Sequence, residues 1–293
     1  MYELIQVTNT AYYVNCPAKI GIVKTGETDV VLIDSGNDKD AGKKVLRILN
    51  ENGWTLRAIY NTHSHADHIG ANKYLTDQTG CAVYAPGTEC DFTNHTFLEP
   101  AALYGGFPMK DLRHKFLMAQ ESPALPLEKA PLPDNMKIIP LPGHSFDMVG
   151  FETQDGAVFL ADCLSSQETL EKYGIGYIWD VAAYLETLEK VKGMSAKCFI
   201  PSHAEQTDNI APLAQYNIDA VNKTAENILS FCKTPVTFDT LLKKLFDLYG
   251  LQMSIQQYAL IGSTLRSYLA MLTDCGKIKY TFENNTMMWG ELI

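Results

Sequence analysis

The chain has no Cys-x-x-Cys pair among its seven cysteines, Cys16, Cys81, Cys90, Cys163, Cys198, Cys232 and Cys275. That scatter excludes a zinc ribbon, and the odd number gives no disulfide framework, so free thiols in a reducing cytoplasm are expected. No apolar run approaches the roughly 18 residues that a membrane span needs. The opening Met1-Tyr2-Glu3-Leu4-Ile5-Gln6-Val7 lacks the basic region and apolar stretch of a secretion signal. Positive charge is also scarce: 24 Lys and Arg stand against 34 Asp and Glu, a net of −10. This balance argues against non-specific binding to nucleic acid or an anionic membrane, while a nuclease that contacts phosphate through metals stays open. Internal repeats and low-complexity tracts are missing. What is left is a 293-residue chain, long enough for one large domain plus a small appendage.

Histidine is sparse too, yet five of the seven fall in a pattern that a metal site explains. Asn61-Thr62-His63-Ser64-His65-Ala66-Asp67-His68-Ile69-Gly70 packs three imidazoles and a carboxylate into six consecutive residues. These are ligand types that zinc and other borderline divalent cations prefer. Without a cation such a cluster would repel itself or desolvate at a cost. His144 and His203 follow downstream in Pro142-Gly143-His144-Ser145 and Pro201-Ser202-His203. His95 and His114 have no ligand partner at a useful spacing and are read as non-ligands.

Local patterning places the candidates. Strands are expected at Ile20 to Lys24, Val30 to Ile33, Leu56 to Tyr60, Ala82 to Ala85, Met136 to Pro140, Gly150 to Thr153, Ala157 to Ala161 and Cys198 to Ile200. Helices are expected over Asp38 to Asn52, His68 to Thr79 and Asp180 to Val191. Asp34, His63, His144, Asp162 and His203 then each come directly after a strand, where a rigid sheet can hold a ligand. Cys163, beside Asp162, is the one cysteine with a functional case.

Residues 86–135 break the pattern. This insertion carries, beyond Pro86, six prolines and the aromatic-flanked turn Tyr104-Gly105-Gly106-Phe107-Pro108, and either a lid over the site or a surface excursion fits it. Residues 208–231 read as a helical linker. From residue 232 to 293, helices over Thr237 to Tyr249 and Ser254 to Leu272 precede a hairpin around Glu283-Asn284-Asn285, an order that resembles a winged helix. A DNA-reading face should be basic. Here six Lys and Arg face five Asp and Glu, and Arg266 is the single basic residue of the presumed recognition helix. A packing or homodimer-forming role is therefore favoured.

Taken in order, Leu32-Ile33-Asp34-Ser35-Gly36, His-x-His-x-Asp-His at 63–68, Gly143-His144, Ala161-Asp162 and Ser202-His203 resemble the metallo-β-lactamase superfamily over roughly residues 1–205. The resemblance implies an αββα sandwich of two mixed sheets, with helices outside and the site at one edge. The small winged-helix-like domain would follow it. The resemblance also implies that His63, His65 and His144 bind one metal, that Asp67, His68 and His203 bind a second, and that Asp162 bridges them. Asp34 would orient a ligand, and Asp34 and Asp67 are the carboxylates assigned to the catalytic set. Two cations about 3.5–4 Å apart can hold a hydroxide between them and lower its pKa towards neutrality.

The implied activity is a dinuclear metal-dependent hydrolase that attacks a small carbonyl substrate: a thioester, lactone or ester. A metal-dependent phosphodiesterase or ribonuclease is the alternative. The third reading is a non-catalytic metal-bearing regulator that binds DNA through its winged-helix end, and an iron-dependent sulfur dioxygenase, which shares the His-x-His-x-Asp-His run, is kept as a minor one. Zinc is the first expectation for the metals, with iron or manganese also compatible. His65 stands where flavodiiron-type oxygen reductases carry Glu, and Asp162 where zinc β-lactamases carry Cys, so neither chemistry is expected. The overall layout is loosely similar to the lactamase-beta-2-like group.

Overall fold

The computed structural model describes residues 2–292. Seven strands form the first sheet in sequence order: β1 (Glu3–Gln6), β2 (Ala11–Asn15), β3 (Ile20–Lys24), β4 (Asp29–Ile33), β5 (Thr55–Tyr60), β6 (Ala82–Ala85) and β7 (Ala124–Pro126). Pairing is antiparallel from β1 to β4 and parallel from β4 to β7. The second sheet has the order β11-β10-β9-β8, built from β8 (Met136–Pro140), β9 (Val149–Thr153), β10 (Ala157–Ala161) and β11 (Cys198–Pro201).

Strand alternation builds the layers. On β4, Val31 and Ile33 point between the sheets to meet Tyr60, Phe151 and Phe159. Val30 and Leu32 point the other way, under helices α1 (Lys39–Glu51) and α3 (Asn72–Thr79), between which the short α2 (Ala66–Ile69) falls in sequence. Successive side chains of a strand face opposite sides, so a strand buried on both faces reads as the continuous apolar run seen in the sequence. α1 starts at Asp38, whose carboxylate accepts from the backbone N–H groups of Asp40 and Ala41 at 3.0 and 3.1 Å, a normal N-cap. Its buried stripe is Ala41, Val45, Ile48 and Leu49, the spacing of one helical face.

The insertion opens with α4 (Gly87–Asn94) and α5 (Leu98–Tyr104). After the second sheet has begun come α6 (Gln167–Tyr173), α7 (Val181–Lys192), α8 (Ala211–Phe231), α9 (Phe238–Tyr249) and α10 (Ile255–Asp274). Val158 and Leu160 of β10, Leu188 of α7, Ile218 of α8, Leu245 of α9 and Leu269 of α10 belong to one continuous apolar core. The order from outside to outside is helix, sheet, sheet, helix, as expected. α8 is the segment expected as a linker; it lays Ala214, Ile218, Val221 and Ile228 into that core.

The chain ends in the hairpin of β12 (Ile278–Glu283) and β13 (Thr286–Glu291). Asn284 and Asn285 make its turn with φ of 48° and 62°, the left-handed pair a two-residue hairpin loop demands. The Arg266 guanidinium lies 4.2 Å over the Phe238 ring, stacked within the module.

The expected helix over His68 to Thr79 is two helices. Ser35 N–H donates to the His68 carbonyl at 2.8 Å, and Ala71 N–H donates to Ser35 Oγ at 3.2 Å, so the end of β4 takes bonds that a continuous helix would have used. A Cβ on Gly70 would sit 2.2 Å from the Asn37 carbonyl oxygen, and only glycine permits that approach. The insertion packs at both ends. Ala119 touches Ala66 and Ile69 of α2, and Leu103, Leu112 and Leu117 cluster with Ala259 of α10. Tyr104 and Phe107 lie on the outside of this rim, Phe107 73% exposed and against Phe97. Among the described residues, no helix is long and apolar enough to cross a membrane.

Candidate metal centre

The exits of β4, β5, β8, β10 and β11 deliver Asp34, His63, His144, Asp162 and His203 to one edge of the sandwich. Two of these exits are strained. Asp34 has φ 63° and Ala161, next to Asp162, has φ 51°, a left-handed conformation that costs a non-glycine residue roughly 1–2 kcal/mol. β10 also slips register against β11 between Phe159 and Ala161, which turns Asp162 inward.

Seven side chains converge in two groups, His63, His65 and His144 in one and Asp67, His68, Asp162 and His203 in the other. Within each group the ligand atoms lie within 4.8 Å of one another. His65 Nδ1 is 3.1 Å from both His63 Nε2 and His144 Nε2. His203 Nε2 is 3.2 Å from Asp67 Oδ2 and from Asp162 Oδ2, and His68 Nε2 is 3.2 Å from Asp162 Oδ1. Asp162 Oδ2 also lies 3.7 Å from His144 Nε2, so this carboxylate joins the groups. Donors held at about 2.0–2.1 Å from a tetrahedral zinc are about 3.3 Å apart, close to these spacings.

Hydrogen bonds on the far side of the rings fix which nitrogen carries the proton. Thr62 Oγ1 donates to Asp34 Oδ2 at 2.7 Å, so its contact of 2.9 Å with His63 Nδ1 requires the ring to donate. His68 Nδ1 donates to Asp34 Oδ2 at 2.8 Å, His144 Nδ1 to the Tyr177 carbonyl at 3.2 Å and His203 Nδ1 to the Pro17 carbonyl at 2.8 Å. In the neutral form of each of these four rings the lone pair is then on Nε2 and aims at the centre. His68 Nε2 and Asp162 Oδ1 are buried and, despite their separation, are not aligned to hydrogen-bond with any described partner. Converging lone pairs and orphaned buried polar atoms are what a cation resolves; the donor set fits two divalent ions.

Electrostatics agree with that fit. Burial, with the neighbouring imidazoles His68 and His65, holds His63 well below the ordinary histidine range, and burial pushes His65 and His144 down to about 4. Asp162 raises His203 to about 10. For His68, burial opposes the proton but is outweighed by Asp162, Asp67 and Asp34, which hold it well above its usual value. Asp67 is likewise opposed by burial and then pulled down to about 2 by His68 and His203. The metal-free centre therefore balances its carboxylates with protons on His68 and His203, sites that a cation would take over.

One residue of the site has no counterpart in the sequence reading. Glu89 of α4 is fully buried. Its Oε2 accepts from Ser64 N–H and Ser64 Oγ at 2.9 and 2.6 Å, and its Oε1 accepts from Ser145 Oγ and Asp147 N–H at 2.6 and 3.1 Å. It thereby ties the loop of His63 and His65 to the loop of His144. The inward face of α4 is Glu89, Cys90 and Thr93, so no apolar stripe marks it. Asp34, reaching only Thr62 and His68, works through those residues. His95 and His114 join neither ligand group, Cys163 is buried with its thiol pushed up by burial and then by Asp162, and Tyr104 and Phe107 contribute no ligand.

Comparison with known proteins accords with this geometry. The chain is 24% identical over 208 residues to the Beta-lactamase-like protein 2 homolog of Drosophila melanogaster, covering 69% of this chain and 63% of that protein. It is 26% identical over 163 residues to Hydroxyacylglutathione hydrolase GloC of Haemophilus influenzae, covering 55% of this chain and 71% of that one. It thus spans less than two thirds of the Drosophila relative's length. A beta-lactamase domain protein from Burkholderia ambifaria superposes with a TM-score of 0.74 at 15% identity, over 99% of this chain and 94% of that one. A metallo-beta-lactamase family protein from Thermus thermophilus gives 0.69 at 16%, over 100% and 98%. The model of the metallo-beta-lactamase superfamily itself matches residues 14–203, from β2 to the last histidine of the centre, and the chain belongs to that superfamily.

Proposed function

We propose that this chain is a dinuclear metal-dependent hydrolase of small carbonyl substrates, a thioester, lactone or ester. The observation that carries the reading is the pair of ligand groups sharing Asp162. His63, His65 and His144 would hold one cation, Asp67, His68 and His203 the other, with Asp162 between them. Bound there, two divalent ions, zinc first and iron or manganese next, supply an activated water and polarise the acyl oxygen. Asp34 keeps His68 in the Nδ1–H tautomer, and through Thr62 it does the same for His63. Relatives named hydroxyacylglutathione hydrolase, such as that of Haemophilus influenzae, support the thioester member of the class.

Residues 1–207 would form the catalytic domain and 232–293 a winged-helix-like module with a packing role. Two observations support that role: its helices share a core with the second sheet, and α10 carries the insertion on Ala259. Elemental analysis of the purified protein, paired with a screen of thioesters, lactones and phosphodiesters, tests the assignment. Close to two metals per chain with carbonyl hydrolysis is expected. Turnover of phosphodiesters alone would shift the reaction to phosphorus, and one iron with no hydrolysis would overturn the reading.

A further inference from the structure

A cavity of about 70 Å³ is lined by His144, Asp162 and His203 of the centre and by the buried Thr224 and Tyr268. Its sides include Leu170, Ile175 and Val221, and it ends on the Tyr268 ring and Thr224. None of its lining residues is an Arg, Lys or Glu, and the one carboxylate, Asp162, lies at the mouth. Three of the polar side chains farther in, Asn217, Thr224 and Tyr268, are already engaged. Asn217 binds the Ser165 backbone at both N–H and carbonyl, Thr224 Oγ1 meets Tyr249 Oη at 2.8 Å, and Tyr268 Oη donates to the Val221 carbonyl at 3.4 Å. With no charge beyond Asp162 and the two histidines and with aliphatic sides, the space accepts an uncharged, largely apolar group.

Its size narrows the class. A cavity of about 150 Å³ holds benzene with its six heavy atoms, so by proportion this one holds about three. With the carbonyl carbon at the mouth, that is an acyl chain of about four carbons or fewer. We infer that the cavity is the acyl pocket of the enzyme and that it selects short acyl groups, leaving the thiol or alcohol portion outside. This inference rests on the hydrolase reading above.

The wall at Gly174-Ile175-Gly176 sets the limit. Leu170, Ile175, Gly176 and Tyr177 line this cavity on one side and a larger, separate groove of about 390 Å³ on the other. That groove runs along α10 to Leu251 and Ile261. Shortening Ile175 would join the two spaces. Filling the inner space from the opposite wall is equally simple, because Ala220 of α8 lines it.

The test uses acetyl, butyryl and octanoyl thioesters of one thiol, N-acetylcysteamine, with the protein as purified. Acetyl and butyryl should give the highest kcat/KM, and octanoyl should fall at least tenfold, the scale by which a pocket rejects methylenes that do not fit. Ile175→Ala should raise octanoyl against butyryl, and Ala220→Leu should lower butyryl against acetyl. Equal or better turnover of octanoyl by the unaltered protein, or unchanged ratios in both folded variants, would overturn the inference. Calorimetric titration with butyrate and octanoate separates the two levels of the argument. Tighter binding of butyrate with no thioester turned over would leave the pocket standing and remove the hydrolase reading. Thioester turnover with octanoate bound as tightly as butyrate would do the reverse.

Discussion

Glu89→Gln is the most informative single change, because it removes one charge and adds only a hydrogen atom's worth of bulk. The native carboxylate accepts four hydrogen bonds, two on each oxygen. Gln keeps one acceptor oxygen, and its NH2 must face either the Ser64 pair or the Ser145 and Asp147 pair. In both orientations a serine hydroxyl can rotate to accept, but a backbone N–H cannot, so the buried Ser64 N–H or the part-buried Asp147 N–H is left facing another donor. An orphaned donor costs about 1–3 kcal/mol and the loss of charge assistance adds about as much, giving about 3 kcal/mol in all. For a chain of this size that lowers Tm by roughly 5 °C. The loops tied by Glu89 carry His63, His65 and His144, so affinity for the first metal should fall about 10–100-fold, the range seen when groups behind ligands are altered. Differential scanning calorimetry and competition with a chelating dye read the two effects. A variant with unchanged Tm and unchanged metal affinity would refute the claim that Glu89 clamps the ligand loops.

Other consequences are direct. Asp162→Ala or His68→Ala should abolish hydrolysis while leaving the circular dichroism spectrum intact, whereas His95→Ala and His114→Ala should cost less than His63→Ala; full activity after either of the first two changes would sink the dinuclear mechanism. Metal binding at pH 7 should release about two protons per chain, from His203 (about 10 without metal) and His68 (well above its usual value); calorimetry in buffers of different ionisation enthalpy counts them. In the metal-free protein, His203 stabilises fully below its unfolded value of 6.5 and loses that contribution as pH rises through about 10. His65 and His144, lowered to about 4, resist the protons that the unfolded chain takes up below 6.5, so stability also falls from pH 6.5 towards 4. Chelator-treated protein should accordingly melt highest near pH 6.5, and a Tm still climbing at pH 9 would contradict the ion pairs. Gly143→Ala places a methyl 2.3 Å from the Tyr184 backbone nitrogen at a φ of 119°. It should displace His144 and lower both Tm and first-metal affinity; wild-type values for both would show that the loop can shift freely.

The candidate ligands were legible because the chemistry forces such residues to be. Three imidazoles and a carboxylate within His63–His68 must come from one loop, and a loop leaving a buried strand announces itself by the apolar run before it. The layers were legible for the same reason: Val30 to Ile33 and Ala157 to Ala161 are buried on both faces, and burial on both faces leaves no polar alternation to misread. β1 and β2 were passed over, although β2 buries Ala11, Tyr13 and Val14; the rest of what escaped lies where burial and hydrophobicity part company. α6 buries no residue, so it has no stripe. β7 is a three-residue edge strand ending in Pro126, tolerated only because an edge needs fewer ladder bonds. α4 buries a carboxylate, a thiol and a hydroxyl, the reverse of a core signal.

The acyl pocket escaped for a deeper reason. Its walls come from positions between His144 and Tyr268 that have no common spacing and no common residue type, since only the tertiary fold assembles them. A sequence can therefore show which bond-breaking chemistry a chain of this kind supports long before it shows what it acts on. Catalysis is specified by a few residues whose identity is fixed by coordination, whereas selectivity is specified by the space that residues of interchangeable identity leave between them. Ile175 and Ala220 illustrate the second kind: each could be exchanged for another apolar residue without disturbing a ligand, and each exchange should alter which substrate fits.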